Sequence, residues 1–261
     1  MERRRVDTLL AERGLSPSRT SAAASVRAGR VRVGRGGARA TKPGQLIATD
    51  EQLAVEGPPR YVSRGGIKLE NALTALGIEP AGRDCLDVGA STGGFTDCLL
   101  RHGATRVVAL DVAHGQLDWG LRNDDRVHVI ERANARELDP GDLPYAPGLG
   151  TIDVSFIGLA KVLPAVAACL APGGDLLAMV KPQFELGRGR VGRGGVVRDQ
   201  ADRREAVLGA ARAAEEAGLT VRGIAPSGLP GPKGNLETFV WAADGGDGLH
   251  DLAAAIEGAE L

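Results

Sequence analysis

The segment Asp87-Val88-Gly89-Ala90-Ser91-Thr92-Gly93-Gly94-Phe95 is entered from apolar Cys85-Leu86 and left by a helical pattern. It therefore reads as a strand, a glycine turn and a helix start. Further on, the apolar run Val107-Val108-Ala109-Leu110 ends in Asp111, which sets a carboxylate at the tip of the next parallel strand. Together these features predict a nucleoside-binding βαβ unit. Gly89 to Gly94 lacks the Gly-x-Gly-x-x-Gly order that brings backbone against a pyrophosphate, which disfavours a dinucleotide. S-adenosyl-L-methionine, which carries no phosphate, fits the turn better.

The pattern beyond Asp111 extends that unit into a whole sheet. Strands are predicted at Val127 to Ile130, Gly150 to Val154, Gly174 to Val180, Leu219 to Ala225 and Glu237 to Ala242. Helices fall near Ile67 to Leu76, Ile157 to Leu170 and Asp202 to Ala217. This alternation predicts a doubly wound α/β sheet whose last two strands form a hairpin at the antiparallel edge. With 261 residues, 43% hydrophobic and 25% charged, the chain can bury one such core and a smaller second one.

The smaller unit carries the charge. Residues 1–60 hold 12 Lys and Arg against 6 Asp and Glu, whereas the whole chain has a net charge of −1. A basic module attached to an acidic one suggests a polyanion partner. In that module Val6, Leu9 and Leu10 have helical spacing, a second helix through Ala22 to Ala28 stops at Gly29, and short strands follow around Val31, Val33, Leu46-Ile47 and Leu53-Ala54-Val55. Gly57-Pro58-Pro59-Arg60 reads as a linker. The expected boundaries are residues 1–58 and 64–261, joined by 59–63.

Ligands of open α/β sheets bind beyond the carboxyl ends of the strands. Asp153 and Lys181 close two of those strands, Glu237 opens the last, and Lys68 lies on the helix ahead of the first. Four charges converging on one cleft are unfavourable unless function requires them. The near-apolar-free stretch Gly187 to Gly195, with Arg188 and Arg190, should be mobile and lies where it could clamp a nucleic acid. Cys85, Cys98 and Cys169 suit buried thiols, and no histidine has metal-ligand spacing, so no metal is expected. No apolar stretch reaches membrane-span length and no signal-type segment follows Met1, which predicts a cytoplasmic protein. No heptad or large apolar face suggests assembly, so a monomer without an obligate protein partner is expected.

Two sets of residues resemble known families. Arg5-Val6-Asp7, Leu10, Gly14, Ser18-Arg19, Gly29, Val31, Val33, Lys42-Pro43-Gly44 and Asp50 resemble the α+β S4 RNA-binding fold. Lys68, Asp153, Lys181 and Glu237 resemble the catalytic tetrad of the FtsJ-like ribose 2′-O-methyltransferases. Ser63-Arg64-Gly65-Gly66-Ile67-Lys68-Leu69, Asp153-Val154-Ser155-Phe156, Lys181-Pro182-Gln183-Phe184-Glu185 and Gly234-Asn235-Leu236-Glu237 extend that likeness to nearly the full chain. The whole resembles the TlyA family of bacterial rRNA methyltransferases, whose members also carry haemolysin names. One departure lies in Pro59-Arg60-Tyr61-Val62, where a member of the family has Trp in place of Tyr61; an aromatic ring is kept.

The resemblance implies a Rossmann-like class I methyltransferase domain behind a small S4 domain. It implies methylation of cytidine ribose in 16S rRNA, 23S rRNA or both, within the 30S subunit, the 50S subunit or both, a reaction linked in actinobacteria to capreomycin susceptibility. Arg5, Arg19, Arg27, Arg30, Lys42, Arg64, Arg188 and Arg190 would meet RNA. Asp87, Gly89, Ala90, Ser91, Thr92, Gly93, Gly94 and Phe95 would face the methionine end of the cofactor, Asp111 its ribose and Asn134 its adenine. Lys181 is the expected base, with its ammonium weakened by desolvation and by Lys68. Asp153 and Glu237 would orient, and Lys68 would hold the ribose or a phosphate.

Other classes fit less well. An amino-directed methyltransferase needs an Asp/Asn-Pro-Pro-aromatic turn where this chain has Asp153-Val154-Ser155-Phe156, and a base C5 enzyme needs a cleft cysteine. A membrane-active haemolysin would need an amphipathic or spanning segment. A non-catalytic RNA-binding or ribosome-assembly protein would have no use for all four tetrad charges.

Overall fold

Two hydrophobic patterns of different length close around separate cores in the computed structural model, which describes residues 2–57, 59–192 and 194–259. The chain forms two compact units, Met1–Pro59 and Arg60–Leu261. The predicted linker residue Pro58, Arg193, and the side chain of Arg188 lie outside the described residues.

In the first unit β1 (Arg3–Arg5) leads into α1 (Val6–Glu12), followed by α2 (Arg19–Arg27), β2 (Val31–Val33), β3 (Ala38–Arg39), β4 (Leu46–Ala48) and β5 (Leu53–Val55). Val6, Leu9 and Leu10 fall on one helix face and bury against Ala22, Val26, Val31 and Ile47. The Ser18 hydroxyl caps α2 by accepting from the Ser21 N–H at 3.1 Å. Strand β1 is unexpected, because three arginines show no alternation. They pair through backbone with Ala48, Ile47 and Leu46 instead.

Asp7 is the buried charge of this unit, 2% exposed. Its carboxylate accepts from Arg5 at 2.7 and 3.0 Å and from Arg19 at 3.4 Å. The Arg5 guanidinium, ahead of Arg19, lowers the Asp7 carboxyl to about 2.

The second unit runs α3 (Arg64–Leu76), β6 (Asp84–Val88), α4 (Gly94–Arg101), β7 (Arg106–Asp111), α5 (Trp119–Arg122), β8 (Val127–Glu131), β9 (Leu149–Ile152), α6 (Leu163–Ala168), β10 (Asp175–Val180), α7 (Pro182–Glu185), α8 (Gln200–Glu216), β11 (Thr220–Pro226), β12 (Thr238–Ala243) and α9 (Leu252–Gly258). Its sheet order is β11-β12-β10-β9-β6-β7-β8. The alternation of strand residues splits the core in two. Cys85, Val107, Ala109, Leu177, Met179 and Phe239 pack with residues of α3 and α4, while Leu86, Val88, Val108, Leu110, Leu176 and Val180 pack with α6, α8 and α9.

The expected antiparallel hairpin forms one edge of the sheet, with β11 outermost and β12 between it and β10. Two expectations are revised. The predicted helix from Ile157 breaks into a 3₁₀ turn at Leu159–Lys161 and the short α6, where Pro164 occupies the first turn. Helix α3 starts at Arg64 rather than Ile67, because the Ser63 hydroxyl accepts from the Gly65 N–H. The three cysteines are buried, and burial pushes the Cys85 and Cys98 thiols up to about 12.

The folded pKa of Asp7 lies below its unfolded value, so its contribution is present above about pH 4 and is lost as pH falls toward about 2. Because its partners are half-exposed, about 1–2 kcal/mol is at stake. Amide exchange of α1 in the full chain should therefore accelerate in acid, and Asp7→Asn should show that acceleration already at neutral pH.

Candidate active site

The parallel strands all end on one side, and the turn after β6 is shaped by what lies beneath it. Asp87, with 0% exposure, accepts from the Thr96 N–H at 2.9 Å, the Thr96 hydroxyl at 2.7 Å and the Thr151 hydroxyl at 3.3 Å. Burial, with Asp153 adding to it, pushes its carboxyl up to about 7. Above it Gly89 turns at φ +86°, and a Cβ there would sit 2.5 Å from the Asp153 carbonyl oxygen. Only glycine allows that approach. Gly93, at φ +93°, caps α4, and a Cβ there would meet Leu117 at 2.8 Å.

Four charged side chains face this turn as two pairs. Lys68 of α3 and Glu237, which precedes β12, are 7% and 3% exposed and joined by an ion pair. Lys181 Nζ, at the end of β10, lies 2.5 Å from Asp153 Oδ1, past the end of β9, and donates to the Ser155 hydroxyl at 2.9 Å. Each of the two lysines, Lys68 buried and Lys181 partly buried, is thus matched by a carboxylate, as desolvation demands.

All four line one cavity of about 640 Å³, together with Gly89, Ala90, Ser91, Thr92, Gly94 and Phe95 of the glycine segment and Arg64. That volume is in the range of small-molecule and cofactor sites. Asp111 stands beside it, on a small adjoining pocket that shares Ala90 and Ser91 and reaches Glu131. Its carboxylate accepts from the Ser91 and Ala113 N–H groups, both at 2.7 Å, which ties the glycine turn to the end of β7. A glycine wall without room for side chains, a carboxylate at the next strand tip and a partly apolar cavity fit S-adenosylmethionine. Among the described residues no group of three or more His, Cys, Asp or Glu could hold a metal ion.

Other predicted residues stand elsewhere. Asn134 is exposed and lines neither cavity; it caps a 3₁₀ turn through the Arg136 N–H and donates to Glu137 at 3.0 Å. Arg64 opens α3 and donates to the Pro230 carbonyl at 2.7 Å. Arg190 is held by Asp202 and Glu205 of α8, so its guanidinium is engaged by acids of its own chain. In the first unit Arg5 and Arg19 share Asp7, Arg30 donates to the Ser25 hydroxyl at 3.1 Å, and Arg27 and Lys42 are exposed.

Sequence reasoning missed the aromatic wall. Phe156 is 91% exposed at φ +66°, lines the cavity and lies 5.2 Å from the ring of Phe184. An apolar ring so exposed, on a backbone that non-glycine residues seldom adopt, marks a surface kept for a ligand. Its position in Asp153-Val154-Ser155-Phe156 is visible in the sequence; its exposure is not.

Comparison with known proteins agrees with this architecture. The family model for FtsJ-like methyltransferase matches residues 61–244 and that for the S4 domain residues 4–53. A Mycobacterium tuberculosis protein named 16S/23S rRNA (cytidine-2'-O)-methyltransferase TlyA is 50% identical, covering 92% of this chain and 89% of its own. Hemolysin A of Brachyspira hyodysenteriae is 39% identical over 89% of this chain and 97% of its own. A solved structure from Streptococcus thermophilus that bears a hemolysin name superposes with a TM-score of 0.74 at 39% identity, covering 98% of this chain and 95% of that one.

Gly89→Ala should strain the turn and displace the Asp153 carbonyl. Calorimetric titration with S-adenosylmethionine is expected to show at least roughly tenfold weaker binding, with a stability loss of about 1–3 kcal/mol in thermal unfolding.

Proposed function

The chain belongs to the family of FtsJ-like methyltransferases, with an S4 domain ahead of the catalytic fold, and from that premise we propose that it transfers a methyl group from S-adenosylmethionine to a cytidine ribose 2′-hydroxyl of ribosomal RNA. The observation that carries this reading is the two lysine–carboxylate contacts, one buried and one partly open, that line one cavity with the glycine turn.

A ribose hydroxyl is a weak acid and must lose its proton as it attacks. When bound, S-adenosylmethionine supplies an electrophilic methyl on a sulfonium. Lys181, in its uncharged form and aimed by the end of β10 and by Pro182 behind it, would take the hydroxyl proton as the ribose oxygen attacks. Asp153 and Ser155 hold that amine in place. Lys68, kept straight by Glu237, meets the ribose or an adjacent phosphate. Asp111 would hold the cofactor ribose, and Phe156 with Phe184 would offer the nucleobase a face on which to stack. Much of the rate comes from alignment, since the methyl donor is already activated.

Residues 1–58 form the RNA-binding domain and 59–63 the linker to a methyltransferase domain over 64–261. Arg27, Arg30 and Lys42 then supply phosphate contacts, which fix register without reading much sequence. The substrate is rRNA within the 30S subunit, the 50S subunit or both, the enzyme acts as a monomer, and its place of work is the cytoplasm. The haemolysin names among its relatives raise a membrane role, but among the described residues no helix is long and apolar enough to cross a membrane.

Isolated 30S and 50S subunits incubated with labelled S-adenosylmethionine test the reading. Label is expected on a ribose 2′-oxygen, and Lys181→Ala should lower the rate by roughly 10²-fold or more while leaving cofactor binding intact. Cofactor binding without transfer to either subunit would send the search to other RNAs.

A further inference from the structure

The turn that follows Lys181 carries a carboxylate that takes no part in the cavity. Helix α7 is a single turn with Lys181 at its N-cap and Pro182 behind it. One helical turn sets residues 181, 184 and 185 toward the same side, because i, i+3 and i+4 are neighbours on a helix. That side faces the loop after β9. Across the gap lie Asp153 and Ser155 opposite Lys181, Phe156 opposite Phe184, and the Leu159 N–H opposite Glu185.

The third contact is the least accounted for. Both Glu185 oxygens accept from the Leu159 N–H, at 3.0 and 3.2 Å. The approach is tight as well: a Cβ on Gly158 would stand 3.2 Å from Glu185 Oε2 and 3.4 Å from the Phe184 carbonyl. Burial pushes the Glu185 carboxyl up to about 7, so the site disfavours the charged form. An apolar side chain would be easier to bury there but could not hold the Leu159 N–H. Neither Glu185 nor Leu159 lines the cavity, so this acid acts on the site through other residues.

We propose that Glu185 is a positioning residue for methyl transfer: by fastening the loop after β10 to the loop after β9 through Leu159, it fixes Lys181, Asp153, Ser155 and Phe156 in one geometry. The proposal rests on the methyltransferase reading for its kinetic consequence and on geometry alone for the fastening. Its logic is that of alignment, where a misplacement of about 1 Å at the reacting atoms costs up to roughly 10²-fold in rate. The amide oxygen of glutamine accepts from Leu159 as a carboxylate does, which makes Glu185→Gln the conservative variant and Glu185→Ala the one that unties the loops.

The test compares the full-length wild-type chain, Glu185→Ala and Glu185→Gln by single-turnover methyl transfer to the modified subunit, calorimetric binding of S-adenosylmethionine and amide exchange of the peptide spanning residues 155–160. For Glu185→Ala the rate constant should fall roughly 10- to 100-fold, with cofactor affinity and subunit KM within about twofold and Leu159 exchanging faster. Glu185→Gln should stay within about threefold of wild type and keep the amide protected. A folded Glu185→Ala with wild-type rate and exchange would overturn the proposal. So would a glutamine variant as impaired as the alanine one, since the charge itself would then be in use. If the wild-type chain transfers to neither subunit, the functional reading fails; exchange still decides the fastening, which stands only if alanine, and not glutamine, exposes Leu159.

Discussion

A carboxylate without solvent exposure, Asp87, is the point on which the catalytic unit turns. It joins three elements: its own strand, the first turn of α4 through both donors of Thr96, and β9 through Thr151. Satisfying a buried acid by neutral donors fixes those donors in return, since any that strayed would leave it unpaired. The start of α4 is therefore held against β6, and the chain between them must turn within the span Gly89 to Gly93. That turn is so tight that the backbone of Asp153 fills the space a Gly89 side chain would take. The position of Asp153, and through it of Lys181, follows from an acid that does not itself line the cavity.

The charges in the cavity obey the same constraint of burial. Four isolated ions near an enclosed site would each lose hydration worth several kcal/mol. Two lysine–carboxylate pairs offset most of that loss and leave directional donors facing the cavity. The pairs also differ. Lys68 and Glu237 are almost wholly buried, which suits a fixed frame, whereas the side chains of Lys181 and Asp153 are 12% and 24% exposed. The more open pair is the one that can meet a proton coming from a substrate. The difference in exposure between the two pairs follows from their depth beneath the strand ends.

Much of this was readable from residue order. Strand, glycine turn and acidic strand tips come from local patterns, and residues at the carboxyl ends of parallel strands share a side by topology, so Lys68, Asp153, Lys181 and Glu237 could be gathered without coordinates. What escaped depends on pairing between distant segments. Nothing in three consecutive arginines announces β1, because backbone pairing with residues 46–48 decides it. The insertion of β12 between β10 and β11 is a choice of partner, invisible to periodicity. Arg190 looks free in a glycine-rich stretch, yet Asp202 and Glu205 lie on the next helix at a reach no spacing rule reports. The motif Asp153-Val154-Ser155-Phe156 does not announce the 91% exposure of Phe156.

The same distinction changes how the basic unit is counted. Its surplus of positive charge over residues 1–60 suggests a uniform polyanion surface. Several of its arginines, however, are already paired with acids of the same unit: Arg4 with Glu2 and Glu12, Arg5 and Arg19 with Asp7, and Arg32 with Glu56. Among the described residues Arg27, Arg35 and Lys42 enter no ion pair, so a phosphate meets them without first displacing a carboxylate. Arg5 and Arg19 differ, because any phosphate they bind must share them with a carboxylate whose low pKa records how firmly it is held. A phosphate would therefore find fewer unclaimed arginines in this unit than its composition suggests.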